Sequence, residues 1–181
     1  MSIDAESAKD SLCDIDAVVS RFRQSSLYRG TSVLVMLWGA LVACGYVSST
    51  YIPERAGLIW ILADSVGLMA TFAIGLRYRH RGAEFDWRIV VAVLLFFAFG
   101  MVCSRIGHFG WRESDAFWPI LFMFGYALAG LWLGRVFIWL GLGVAALSFA
   151  GYLWVEHWFE LYLACVDGGG MILAGLWMRR A

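Results

Sequence analysis

The chain has 181 residues, 61% of them hydrophobic and 15% charged, with zero formal net charge and a mean hydropathy of +0.72. Soluble domains are about half apolar and a quarter charged, so this is the composition of an integral membrane protein. The balanced charge argues against a nucleic-acid partner. A bundle in lipid must be held by small residues, packing and interhelical hydrogen bonds.

Residues 1-28 form a separate N-terminal segment. Asp4, Glu6, Lys9, Asp10, Asp14, Asp16, Arg21 and Arg23 fall within it, and no apolar core precedes a small-residue cleavage site. The first apolar segment is therefore expected to be a retained anchor. Leu12, Ile15, Val18, Val19 and Phe22 recur at three- and four-residue steps opposite Asp14, Asp16 and Arg23, the pattern of an amphipathic helix. Such a helix packs on its own bundle, lies on the membrane surface or docks on a partner.

Residues 29-181 are read as an all-α integral membrane bundle of six transmembrane helices. A span needs about 20 mostly apolar residues. Six such runs are expected near Gly30–Tyr51, Gly57–Leu76, Ile89–Ile106, Phe117–Leu133, Val136–Val155 and Trp158–Met178. The fourth is short, and the turn at Gly134–Arg135 is very tight. Arginine closes several runs: TFAIGLRYR at Thr71–Arg79, ALAGLWLGR at Ala127–Arg135 and ILAGLWMRR at Ile172–Arg180. The spacing suggests three tandem helical hairpins, each ending at a basic face. In membrane proteins such repeats often build a site at their interface.

The arginines also set an expected orientation. Arg21, Arg23 and Arg29 precede the first span, and Arg77, Arg79, Arg81 and Arg88 separate the second from the third. Arg135 follows the fourth, and Arg179 with Arg180 ends the sixth. Six spans put all of these on one side, so both termini are expected to be cytoplasmic, in the cell inner membrane. Glu54, Arg55, Arg105, Arg112, Glu113, Asp115, Glu156 and Glu160 fall on the other side, which is less basic and more acidic.

Asp64 and Asp167 are the sharpest candidates for chemistry. Each sits inside an apolar run, where an ionised carboxylate costs several kcal/mol, so it must face the interior, find a partner or take up a proton. They are read as a pair responsive to protons or cations, or as interhelical glue. Gly168, Gly169 and Gly170 follow Asp167 and allow either a helix break beside it or close approach of a neighbour. Arg105 is a candidate counter-ion, unless it snorkels to the headgroups.

The remaining residues point to no cofactor and no metal. None of the three histidines, His80, His108 and His157, falls within a span, where a bis-histidine haem would need two. Glu156, His157 and Glu160 make a small acidic cluster without a specific metal spacing. Cys13, Cys44, Cys103 and Cys165 contain no C-x-x-C motif, and the last three leave a disulfide open. Trp60, Trp87, Trp111, Trp118, Trp154, Trp158 and Trp177 cluster near helix ends, as an aromatic belt should. No phosphate-binding loop, nucleophile elbow or paired-histidine motif is present.

The run Ile15–Arg21, continued through Ser25–Gly30, resembles the start of small bacterial six-helix inner-membrane proteins of unassigned function. These tend to be encoded beside winged-helix transcriptional regulators. The pattern of the fourth to sixth spans is similar across much of the chain, although the acidic first ten residues depart from it. The resemblance implies an inner-membrane bundle and carries over no functional residue.

Two functions are expected from different classes. The first is a non-enzymatic sensory, regulatory or complex-subunit component, acting through a protein partner or a homo-oligomer in the lipid bilayer. It follows from the short loops, the lack of a catalytic constellation and the amphipathic start. The second is a small proton- or cation-coupled transporter or channel using the intramembrane carboxylates.

Overall fold

The structure, a computed structural model, describes residues 31–79 and 87–180. The expected amphipathic helix within residues 1-28 lies outside the described residues. Every long element is a helix: α1 (Thr31–Tyr51), α2 (Ala56–Arg79), α3 (Trp87–Ile106), α4 (Trp111–Leu133), α5 (Arg135–Trp154) and α6 (Phe159–Arg180). The last is α-helical at both ends and π-helical over Ala164–Gly169. Among the described residues five of these helices are long and apolar enough to cross a membrane, and α3 adds the apolar stretch Val90–Ile106. The chain is an all-helical membrane bundle. Large apolar side chains such as Leu94, Trp132, Trp139 and Leu173 are exposed, which suits a surface facing lipid tails.

The fourth helix corrects the expected boundary. It begins at Trp111, not Phe117, and is 23 residues long. Its polar first turn, which reads as loop by hydropathy, is helical. Gly110 sits at its N-cap, and Glu113 lies where the helix dipole favours negative charge. Arg112, Glu113 and Asp115 are therefore held on a helix rather than in a loop.

A single residue joins α4 to α5. Gly134 has φ 131° and ψ 158°, a conformation that L side chains rarely adopt. Its N–H donates to the Gly130 carbonyl at 3.0 Å. With no slack in the connection, the two helices run antiparallel in close contact. A Cβ on Gly130 would come within 2.6 Å of the Ile138 nitrogen, and one on Gly141 would strike the Met123 carbonyl.

Other close approaches give the order of the helices. Gly67 of α2 lies against Trp38 of α1, and Gly39 of α1 against Gly168 and Met171 of α6. Gly170 meets Val144 of α5, and Gly100 of α3 meets Trp118 and Leu121 of α4. The series therefore runs α2, α1, α6, α5, α4, α3. Each hairpin expected from the sequence pairs its own two helices. Gly130 and Gly175, which align in the repeat, each meet the first helix of another hairpin, α5 and α1 respectively. The second helix shows no such seam among the described residues: none of them comes within 4 Å of a side chain placed on Gly75, in its last turns.

Four helices make the core. One cluster holds Val35, Met123, Phe137, Val144, Met171 and Met178, from α1, α4, α5 and α6. A second holds Tyr46, Ala116, Phe159, Leu163 and Ala164, toward the opposite end. Helices α2 and α3 flank this core.

Candidate functional site

Asp167 lies where the two clusters meet. Its neighbour Val166 packs against the first, and Ala164 belongs to the second. The residue is only 3% exposed, and its Oδ1 has no hydrogen-bond partner among the described residues. Buried polar atoms in folded proteins are nearly always paired, so an orphaned carboxylate oxygen inside a membrane bundle makes Asp167 the first candidate for a functional group. Ser49 and Ser148 also bury unpartnered hydroxyl oxygens. Ser148 is one turn along α5 from Val144, which meets Gly170, and so lies near the depth of Asp167.

The local backbone explains how an aspartate comes to sit there. Gly168 presses on α1: a Cβ on it would lie 2.6 Å from the Ala43 Cβ and 2.8 Å from the Gly39 carbonyl oxygen. The π-helical turn over Ala164–Gly169 carries one extra residue past this contact and keeps Asp167 inward. Such bulges occur often at functional sites. Both readings of the triple glycine are thus partly realised. Gly168 and Gly170 serve close packing, and the helix loosens into a π turn without breaking. Gly169 has open space before it.

Two tyrosines stand on either side of the carboxylate along the bundle axis. Tyr46 of α1 and Tyr126 of α4 both lie within electrostatic reach of Asp167. Tyr126 packs against the first cluster and stacks on Phe137 at 6.2 Å. Tyr46 is 2% exposed and donates its hydroxyl to the Asp115 carbonyl at 3.1 Å. That bond has a cause in the sequence. Pro119 lies inside α4 and has no N–H, so the carbonyl four residues earlier, that of Asp115, loses its helical donor. Tyr46 supplies the missing hydrogen across the α1–α4 interface.

Beyond Tyr46 a cleft of about 330 Å³ opens at the Glu156 end, lined by residues that include Thr50, Arg112, Asp115, Glu156, His157 and Glu160. Arg112 is committed to structure there. Its guanidinium donates to the carbonyls of Tyr152 (2.9 Å), Val155 (2.8 Å) and Glu156 (3.0 Å) at the end of α5. It also lies 5.1 Å from the Phe159 ring centre and 5.5 Å from that of Tyr152, in cation–π range. A cation at a helix C-terminus satisfies orphan carbonyls and the dipole together. Asp115 and Glu160 lie within electrostatic reach of each other across the cleft.

The other candidates are placed elsewhere. Asp64 is half-buried on α2, among the exposed side chains of Ile61, Leu62, Ser65 and Val66. It does not meet Asp167, because α1 stands between: Trp38 and Gly45 of α1 face α2, while Gly39 faces α6. Arg105 is exposed at the end of α3 and provides no bond to the orphaned oxygen of Asp167. Cys44, Cys103 and Cys165 are free thiols. Among the described residues no three of His, Cys, Asp and Glu converge as a metal site would require. Sequence reasoning missed Arg112 and Tyr46. Pro119 was the available signal for Tyr46, since a proline nine residues into an apolar helix calls for an outside donor.

Compared with family models, curated proteins and solved structures, the chain matches none of them.

Proposed function

We propose that this protein is a non-enzymatic membrane component that responds to a small cation, the proton, bound and released at Asp167. The observation that carries the reading is the orphaned oxygen of a carboxylate buried in the four-helix core. A proton on Asp167 removes the penalty of a buried charge, and its loss restores that penalty. The two states therefore favour different packing around the π-helical turn, where Gly168 and Gly169 make the backbone pliable. In this reading the protein lies in the cell inner membrane with both termini cytoplasmic. The support is Arg88, Arg135, Arg179 and Arg180, which the antiparallel helices bring to one end.

The test is a distance measurement between spin labels at the exposed Leu142 of α5 and Leu173 of α6, in acid and in base. The expected result is a shift in the wild-type chain that Asp167→Asn abolishes. A shift that persists in Asp167→Asn removes Asp167 from the response.

A second reading, a subunit of a larger membrane assembly, is favoured by α2. Leu58, Ile61, Leu62, Leu68, Met69 and Phe72 are all exposed along it, and Gly75 faces open space. In a purified complex, cross-links from a partner would be expected on this helix.

A further inference from the structure

We propose that the carboxylate-lined cleft at the Glu156 end is the proton's way in to Asp167, and that the Tyr46 hydroxyl bond to α4 is the latch across it. The inference rests on the reading of Asp167 as the proton-binding group and adds the side from which it is reached.

The bundle is asymmetric about Asp167. Toward the Arg180 end stands the first apolar cluster, in which Met123, Met178 and Val35 are each 1% exposed. Asp167 is about 20 Å along its helix from Arg180 but only about 12 Å from Phe159, at 1.5 Å per residue. On the shorter side the second cluster is as well sealed, with Leu163 at 0% exposure, but two of its five members are alanines, Ala116 and Ala164. Through it stands Tyr46, a phenol that feels Asp167, Asp115 and Glu160 together. No charged side chain of α1 or α5 lies between: α1 has none from Thr31 to Tyr51, and the one charged residue of α5 is Arg135 at its far end. From α4, Tyr126 faces Asp167 on the Arg180 side.

The cleft suits a cation. Three carboxylates, those of Asp115, Glu156 and Glu160, line it with one guanidinium, that of Arg112, and with His157; the guanidinium is turned onto three backbone carbonyls. Carboxylates around a partly enclosed cleft raise the local concentration of cations. Asp115 links the cleft to Tyr46: it is one of the lining residues, and its carbonyl accepts the Tyr46 hydroxyl. Releasing that bond removes the polar tie between α1 and α4 above Asp167 and leaves their apolar packing, Tyr46 with Ala116, in place.

The experiment is infrared difference spectroscopy of the full chain in proteoliposomes, with a pH step applied to one side only. Orientation is read by impermeant-thiol labelling of Glu54→Cys, an exposed position at the same end but outside the cleft, with Cys13, Cys44, Cys103 and Cys165 replaced by alanine. The carboxyl band is the one absent from Asp167→Asn. The expected result is a band that follows a step on the Glu156 side and ignores a step on the Arg180 side. Tyr46→Phe keeps the ring packed 4.8 Å from that of Trp60 and removes only the latch. It should speed the response about fivefold, the effect of one ordinary hydrogen bond. A response from the Arg180 side, or equally from both, overturns the cleft as the way in. An unchanged or slower response in Tyr46→Phe overturns the latch. If no pH-dependent band is lost in Asp167→Asn, the parent reading fails first, and the two failures are thereby told apart.

Discussion

Helices α2 and α6 carry the same signal in sequence and meet different fates. Each is an apolar run with one aspartate, Asp64 or Asp167, followed three residues later by Gly67 or Gly170. The two aspartates lie at similar depth on opposite flanks of α1, since Trp38 and Gly45 of α1 face α2 while Gly39 and Ala43 face α6. Yet Asp64 is half-buried on a helix packed mainly along one side, and Asp167 is sealed in the core. The difference lies in the neighbours. Gly168 admits the backbone of α1, and Gly170 admits Val144 of α5, so α6 is enclosed from two sides. Gly67 admits the Trp38 ring, and Trp38 donates its Nε1–H to Thr71 at 3.0 Å. A carboxylate in an apolar run is sealed in the core when small residues on both of its flanks bring helices over it.

The largest expected effect breaks this enclosure. Gly168→Leu should cost about 3 kcal/mol or prevent assembly, because a side chain there meets Ala43 and the Gly39 carbonyl. Gly75→Leu, on the open face of α2, should stay within about 0.5 kcal/mol. Thermal unfolding in detergent, followed by tryptophan fluorescence, reads both. Equal costs would show that α2 is as enclosed as α6.

Two arginines give the next contrast. Arg112→Ala removes three hydrogen bonds from the α5 terminus and should cost about 2 kcal/mol. Arg105→Ala, at an exposed helix end, should cost less than about 0.5 kcal/mol. The same unfolding assay ranks them, and a reversed ranking would place Arg105 in the core chemistry.

The smallest effect sharpens the account of Tyr46. Tyr46→Phe should cost about 1 kcal/mol by leaving the Asp115 carbonyl unpaired. In a Pro119→Ala background the restored N–H satisfies that carbonyl within α4, and the cost should fall by about half. A double-mutant cycle measures the coupling, and strict additivity would contradict the proline as the cause of the bond.

The helices, the tight link at Gly134 and the hairpin pairing were legible because hydropathy and glycine act locally along the chain. The start of α4 was not, because a polar first turn near a membrane surface looks like loop until its dipole and cap are considered. Asp167 was legible as a candidate, and so was the choice for its glycines between packing and breakage. Its separation from Asp64 was not, since it depends on which helix stands between them. Arg112 reads in sequence as one more rim charge. Its role follows from where α5 ends, a fact set by tertiary packing.

The central claim is that Asp167, and not Asp64, is the carboxyl group that changes protonation in the folded bundle. The direct measurement is an acid-minus-base infrared difference spectrum of the full chain, recorded for wild type, Asp64→Asn and Asp167→Asn. The account predicts a protonated-carboxyl band that survives Asp64→Asn and disappears in Asp167→Asn. A band lost in Asp64→Asn and kept in Asp167→Asn would contradict it.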